Sequence, residues 1–463
     1  MKSLHVWAAV AAVGVAVSAP SLQADEGMWL YNAPPLKQLK EKYGFEPTQQ
    51  WLDHLQKSSV RFNSGGSGSF VSPDGLVMTN HHVGAHDLQK LTDLKKFDYL
   101  KHGFEAKTNA EEVKCEDLEL NVLLSIKDVT ADVMGVVTAG MSPAEAFKAR
   151  SQKMEELRKA VADEKKGIRA DVVTLFAGGA YHLYTLKKYT DIRLVFAPEK
   201  QAAFYGGDPD NFEFPRYDLD VCFFRVYEDG KPIKCEHYLK WSGNGCKEDE
   251  LTFVSGHPGR TNRQNTVAEL EYLRDTGYPY LLARLNRMEV LLNSWTQRSE
   301  ENRKKGEEDL FGIQNSRKAR IGGLQALLDP KIMAAKKAEE AKLRAYIEKM
   351  SGAEKEAGLK AFDTIAAAQK KRAEYLKEAT LLEARGGFMC DSFGFARNLL
   401  RYADEMKKDA KDRLPEYGGT QLAALKENLS SPVPLDVEYE TLRLADSLSL
   451  LATTFGADSD LVK

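Results

Sequence analysis

The chain has 463 residues, with 65 Lys+Arg against 68 Asp+Glu, and is 43% hydrophobic and 29% charged. The net charge is -3 and no strongly basic domain appears, so nothing points to nucleic-acid binding. The composition is that of a soluble protein with room for one to three domains and a large core.

Residues 1–24 stand apart. Lys2 gives a positive start, an apolar run covers 6–17, and small residues from Ser18 to Ala24 precede the acidic Asp25. This is the pattern of a signal peptide, with a core too short to span a bilayer; an N-terminal anchor is the alternative. Export implies a periplasmic or extracellular, oxidising setting. The five cysteines are Cys115, Cys222, Cys235, Cys246 and Cys390. An odd count leaves at least one unpaired within the chain. No C-x-x-C spacing occurs, so no thiolate zinc site is expected.

Short helices are expected over 36–43 and 48–56, the second with Trp51, Leu52 and Leu55 on one side. Next comes Gly68-Ser-Phe-Val-Ser-Pro-Asp-Gly-Leu-Val-Met-Thr-Asn-His-His-Val83, which reads as two strands around the turn Ser72-Pro-Asp-Gly75. Then follow a helix over 86–99, a strand over 118–126, and mainly helix over 131–165 with Ser142 as N-cap before Pro143. From Ala170 the period becomes two, with strands over 172–176, 181–186, 191–196, 220–227, 238–241 and 251–256. Many short strands at close spacing suggest a sandwich or barrel. From Asn265 the pattern is helical. Leu285, Met288, Leu291 and Trp295 mark a buried face, and exposed helices are expected over 332–350 and 361–382. A domain boundary near 262–270 is expected. No sustained apolar heptad marks a coiled coil, and no internal repeat is found.

A histidine held at a strand end by a rigid hairpin can serve as a general base. His81 and His82 sit where the second hairpin strand ends. A base of this kind needs an acid that accepts from the imidazole and stabilises the imidazolium. The region from Phe204 to Asp220 packs acids, glycines and aromatics directly before an apolar strand, and Asp220 stands at that strand's start. For Asp208 and Asp210 the competing readings are a polar turn or a calcium loop, but EF-hand spacing is absent. No metal and no cofactor are expected.

Four stretches resemble one family, the bacterial dipeptidyl-peptidases 7 and 11 of the chymotrypsin clan. They are Asp25-Glu-Gly-Met-Trp-Leu30, the segment from Gly68 to Val83, the segment from Tyr189 through Gly206-Gly-Asp-Pro-Asp-Asn-Phe-Glu-Phe-Pro-Arg216 to Arg225, and Gly256-His-Pro-Gly-Arg-Thr-Asn-Arg263. The resemblance implies that His82 is the catalytic base, with His81 a structural neighbour, and that Asp220 orients it. It implies that Asn211 binds the substrate's free amine and that Phe212 stands where the family usually has Trp. It gives Asn315 as a second amine ligand, against the plainer reading of a helix N-cap. The family often has two cysteines where Gly66 and Val83 stand here, which implies a missing disulfide.

The family's nucleophile lies in a Gly-Asn-Ser-Gly-Ser segment that does not follow Asp220 here. Ser67, in Gly65-Gly-Ser-Gly-Ser69, precedes the histidine and is read as a decoy; Ser255 is a weaker candidate still. The fold expected is α+β. A signal peptide covers 1–24, and the first half of a chymotrypsin-like double barrel covers 25–265. An incomplete inserted helical domain covers 266–463, with the second barrel half outside the chain. The expected activity is serine-type release of dipeptides from peptides with a free N-terminus, the serine lying elsewhere and this chain alone inactive. Relatives of this kind are commonly dimeric, so a homodimer is an expected assembly. The competing readings are a non-catalytic protein that binds peptide N-termini, or an inactive fragment. A quality-control endoprotease would want a second barrel half soon after Gly256, where helix is expected instead.

Overall fold

A computed structural model describes residues 27–463, except 93–95, 260, 410–411, 418–421, 423–424, 427–428 and 430–434. The expected signal peptide lies outside the described residues. The chain divides into two compact units, 1–47 and 48–463. In the first, the helix Leu36–Tyr43 ends at Gly44 in the left-handed region, whose N–H donates back to the Lys40 carbonyl at 3.0 Å.

The second unit carries an antiparallel sheet of eleven strands. They are β1 (Ser59–Phe62), β2 (Ser67–Phe70), β3 (Leu76–Thr79), β4 (Phe104–Glu105), β5 (Val113–Lys114), β6 (Leu120–Asp128), β7 (Ile168–Leu175), β8 (Ala180–Tyr189), β9 (Asp191–Ala197), β10 (Cys222–Glu228) and β11 (Lys231–Pro232). The order is β4-β9-β10-β3-β2-β1-β6-β8-β7, with β5 also on β9 and β11 on β10. The hairpin β2–β3 forms as its sequence suggests. Ser72 Oγ accepts from the N–H groups of Asp74 and Leu76 at 3.2 and 3.3 Å, which closes the turn. Gly75 takes φ 70°, and a Cβ there would meet Ile233 at 2.8 Å, so the turn needs glycine.

One face of the sheet buries Val60, Phe62, Phe70, Val77, Leu120, Ile192, Leu194, Phe224 and Val226. Each such side chain contributes about 1.5–3 kcal/mol of burial. β2 and β3 show strict alternation of more and less buried residues, the pleat's period of two. The helix Pro143–Val161 starts with a capping box, Ser142 paired reciprocally with Glu145. It lies over a second cluster containing Val129, Val133, Ala170, Tyr181 and Leu183.

From Val267 onward the described elements are helices. The longest, Glu300–Leu328, packs on Tyr278–Thr296 through Leu285, Leu292, Trp295 and Ile313, with Tyr439 from Val437–Phe455. Leu292, not Leu291, completes that buried face. No described helix is long and apolar enough to cross a membrane.

Two expectations need correction. Segments 238–241 and 251–256 form no strand. Both edges of β1, β2 and β3 are already occupied by neighbours, so an apolar run arriving there finds no edge to extend. Leu239 N–H donates to Phe70 O at 2.8 Å, and no ladder follows. The helix expected over 86–99 begins earlier, as His81–Leu91, and a separate turn follows at Tyr99–His102. All five cysteines are free thiols.

Candidate active site

β10 and β3 run antiparallel with Cys222 opposite Thr79. This register brings Asp220, just before β10, to the start of the helix that follows β3. Asp220 Oδ2 lies 2.7 Å from His82 Nδ1, and Asp220 Oδ1 accepts the His82 backbone N–H at 3.0 Å. Asn80 holds the N-cap position of that helix, yet its side chain makes no cap bond there. Its amide donates instead to Asp220 Oδ2 at 3.1 Å and to the Asp220 carbonyl at 3.2 Å. Asp220 therefore caps the helix from outside while it orients the imidazole.

A carboxylate only accepts, so the shared proton belongs to His82 Nδ1 and Nε2 keeps its lone pair. The His82 side chain is 69% exposed and that of Asp220 31%. The hydrogen bond that His82 donates to Asp220 raises the His82 pKa, with burial and the charge of Arg216 pulling the other way. For Asp220, burial pushes upward, but the bonds from His82 outweigh it and hold the carboxyl below its usual value. His81 differs: it is 4% exposed, and burial lowers its pKa against the pull of Asp220.

The turn after Phe204 carries the second group. A Cβ on Gly206 would lie 1.7 Å from Asp210 Oδ2, so the Asp210 carboxylate fills the place of a side chain there. Asn211 is 4% exposed. Its Oδ1 accepts from Arg216 Nη1 at 3.1 Å, and its Nδ2 donates to Asn315 Oδ1 at 2.9 Å. Arginine has no acceptor, which fixes the orientation of both carboxamides. Arg216 is itself held by Asp218 at 2.7 Å. Phe212 has φ 63° and is 63% exposed, its ring outward. Asn315 sits mid-helix in Glu300–Leu328, which corrects the N-cap alternative.

The structure thus brings His82 to Asp220 and Asn211 to Asn315. Ser67 Oγ accepts the His257 N–H at 2.7 Å, and Ser59 Oγ donates to Ser255 Oγ at 2.9 Å; neither serine bonds to His82. Gly66 and Val83 do meet: a Cβ on Gly66 would lie 2.7 Å from Val83 Cγ2. Among the described residues no group of three or more His, Cys, Asp or Glu could hold a metal ion.

Sequence reasoning gave no role to Arg216, Asn80 or Lys318. Arg216 is the one base among the acids of the segment from Phe204 to Asp220, a local signal in the sequence. Lys318 stands three residues after Asn315, on the same helix face. Its Nζ reaches the carbonyls of Asp208, Pro209 and Asn211.

The family model described as Peptidase S46 matches residues 24–463. Dipeptidyl-peptidase 7 of Phocaeicola vulgatus is 31% identical over 348 residues, covering 70% of this chain and 48% of the relative. The Asp/Glu-specific dipeptidyl-peptidase of Porphyromonas gingivalis is 31% identical over 271 residues, covering 54% of this chain and 37% of the relative. The crystal structure of Porphyromonas endodontalis DPP11 in complex with the dipeptide Arg-Asp superposes with TM-score 0.71 at 22% identity. That match covers 94% of this chain and 64% of the other, and shows a shared fold. The chain spans about half the length of the first of these relatives.

Proposed function

Because the chain belongs to the peptidase S46 family, a family with dipeptidyl-peptidase members, we propose that it is the N-terminal portion of an exported serine dipeptidyl aminopeptidase. In this reading 25–265 are the first part of a chymotrypsin-like peptidase domain, and 266–463 are an inserted helical domain over the cleft. His82 Nε2 takes the proton of a serine hydroxyl and returns it to the leaving amine. Asp220 holds the tautomer and stabilises the imidazolium. The serine and its oxyanion donors come from sequence outside these 463 residues, and the working assembly is a homodimer.

The observation that carries the proposal is the His82–Asp220 pair, with Nδ1 engaged and Nε2 left as a base on an exposed ring. The Asn211–Asn315 pair supports the exopeptidase part. Each carboxamide oxygen accepts one bond and keeps a second lone pair, which a substrate ammonium can fill. Phe212 offers an apolar wall without the indole N–H of a Trp. Arg216 ties the two groups, since it bonds Asn211 and its charge also acts on His82.

The test uses the gene product with whatever sequence follows Lys463, and the 463-residue chain beside it. The longer protein should release dipeptidyl fluorophores, reject N-acetylated analogues, and lose turnover in His82→Ala. Its rate should rise with pH through a value above about 6.5, as the raised His82 pKa requires. Turnover by the 463-residue chain would sink the external nucleophile. Equal cleavage of acetylated substrates would sink the exopeptidase assignment.

A further inference from the structure

The loop that carries Asn211 and Phe212 is built against its own charges. Asp208, Asp210, Glu213 and Asp218 crowd it, and Arg216 is the one base within the loop. Asp208 Oδ1 and Asp210 Oδ1 are both buried without a hydrogen-bond partner, and Asp210 Oδ1 has only the Arg216 guanidinium as an ion-pair partner, at 3.7 Å. Two of its residues, Gly207 at φ 62° and Phe212 at φ 63°, lie in the left-handed region, a costly conformation for Phe. Its backbone bonds to itself are Gly207 N–H to Phe204 O at 3.3 Å, Asn211 N–H to Asp208 O at 3.1 Å and Glu213 N–H to Asp210 O at 2.9 Å, and its side-chain bracing comes from Arg216, on Asn211 at 3.1 Å and Asp218 at 2.7 Å, and from Asp218 Oδ1, which accepts the Gly206 N–H at 3.3 Å. The carbonyls of Asp208, Pro209 and Asn211 are bonded from outside the loop.

The donor comes from the helix Glu300–Leu328. Lys318 Nζ donates to the Asp208 carbonyl, to Pro209 O at 3.1 Å and to Asn211 O at 3.1 Å. An ammonium has three N–H donors and no acceptor, so three carbonyls satisfy it completely. One helical turn earlier, Asn315 meets the Asn211 side chain. The same helix face therefore holds the loop's backbone through Lys318 and its carboxamide through Asn315.

We propose that Lys318 is a positioning residue for substrate-amine recognition, fixing the backbone of the 208–211 turn so that Asn211 and Asn315 present their oxygens together. This rests on the amine-binding reading above. Lys318 does not touch the substrate; it acts through the loop. The stem of Lys318 also sets the distance between helix and loop, so an arginine at 318, longer and forked, fits the three-carbonyl cradle poorly.

The experiment has two arms, both on the full gene product, with the sequence that follows Lys463. The first measures hydrogen–deuterium exchange over 204–213 without peptide. Lys318→Met keeps the stem and removes the charge, and its exchange there should rise about tenfold or more, as expected for losing charge-assisted bonds. Protection elsewhere and the thermal midpoint should hold. Lys318→Ala should regain protection with n-propylammonium, which refills the cradle, and not with tetramethylammonium, which has no N–H to donate. Unchanged exchange in Lys318→Met, or equal rescue by both cations, would overturn the proposal. Lys318→Arg guards against a variant that merely misfolds: it keeps the charge, and it should remain partly unprotected.

The second arm measures affinity for a short peptide with a free N-terminus and for its N-acetylated form. The wild-type chain should prefer the free amine, and Lys318→Met should lose about tenfold of that preference while the His82 titration stays unmoved. A loop that loosens in Lys318→Met with the preference retained overturns the positioning role. A wild-type chain with no preference in the first place overturns the amine-binding reading, and the exchange arm still reports on Lys318 by itself.

Discussion

The sheet region and the helical region hold their functional residues by different means. Of the twelve largest side chains with under 2% exposure among the described residues, only Trp295 and Leu381 lie in the helical region after residue 266, and the other ten belong to the region before residue 230. His82 and Asp220 are therefore placed by a strand register over a dense core, one that a single side chain does not control. Asn315 is placed from a long helix with a thin buried seam, and it reaches the loop through side-chain bonds alone. Phe204 against Phe311, with ring centroids 4.5 Å apart, and Lys200 with Glu307 and Glu308 add to that seam. Backbone ladders give precision that survives mutation; side-chain bridges give precision that one substitution can remove.

The largest expected effect tests the sheet side at its functional end. In the catalytically complete protein, Asp220→Asn should lower turnover by about 10³–10⁴-fold by releasing the His82 tautomer. The folded His82 pKa is raised, so its stabilisation is present below the unfolded value and fades as pH rises through the folded one. That of Asp220 is depressed, so its contribution is present above the unfolded value and fades as pH falls. The urea midpoint of the 463-residue chain should therefore separate wild type from Asp220→Asn most between about pH 4 and 6.5. A constant difference across pH would break the assignment of an ion pair.

Next in size is a matched pair of core truncations. Phe224→Ala and Trp295→Ala should each cost about 3–5 kcal/mol in denaturant unfolding. Their reach should differ. Phe224 packs against Gly84 of the His82 helix, where a Cβ would come within 3.0 Å of its ring. Phe224→Ala should thus also move the His82 titration followed by imidazole NMR, and Trp295→Ala should leave it alone. If both move it equally, the two regions are one cooperative body and the contrast fails.

The same contrast explains what the sequence revealed. The hairpin, the strands after Ala170 and the capped Pro143–Val161 helix were legible because each writes its own period or cap locally. The His82–Asp220 meeting was readable as a pair of strand ends. The start of the helix at His81 was missed because its cap is Asp220, 138 residues from His82 in sequence. The false strands at 238–241 and 251–256 had the right residues, but a strand also needs a free edge, which no local pattern records. Lys318 escaped for a similar reason: its partners are backbone carbonyls 107–110 residues away, and any residue supplies a carbonyl.

A smaller effect tests whether the His82 helix tolerates its own buried charge. Asp87 lies on that helix, 4% exposed, with Oδ2 unpartnered. Burial pushes its pKa up to about 6, against the pull of Lys90. A raised folded pKa means that its neutral form favours folding at low pH and that this advantage is lost as pH rises to about 6. Asp87→Asn should therefore raise the thermal midpoint by a few degrees at pH 8 and hardly at all near pH 4. Equal shifts at both pH values would show that Asp87 is solvated in the folded chain.

The smallest net effect concerns Gly66 and Val83, where the resembled family often carries cysteines. A Cβ on Gly66 would lie 3.4 Å from Val83 Cβ, close to the 3.5–4.5 Å that a disulfide spans. Gly66→Cys with Val83→Cys should therefore oxidise readily, seen as a two-hydrogen mass loss and no free thiol at either site. Closing a loop of about 15–20 residues contributes roughly 3 kcal/mol through the unfolded chain. Gly66, however, has φ 111°, which L side chains adopt at a cost of about 1–3 kcal/mol. The two terms nearly cancel, and the oxidised variant should gain only about 1 kcal/mol over wild type. The reduced variant should fall below wild type by the strain alone, and that sign separates the two terms. A reduced variant as stable as wild type would mean that the β1–β2 turn bends to suit its residue.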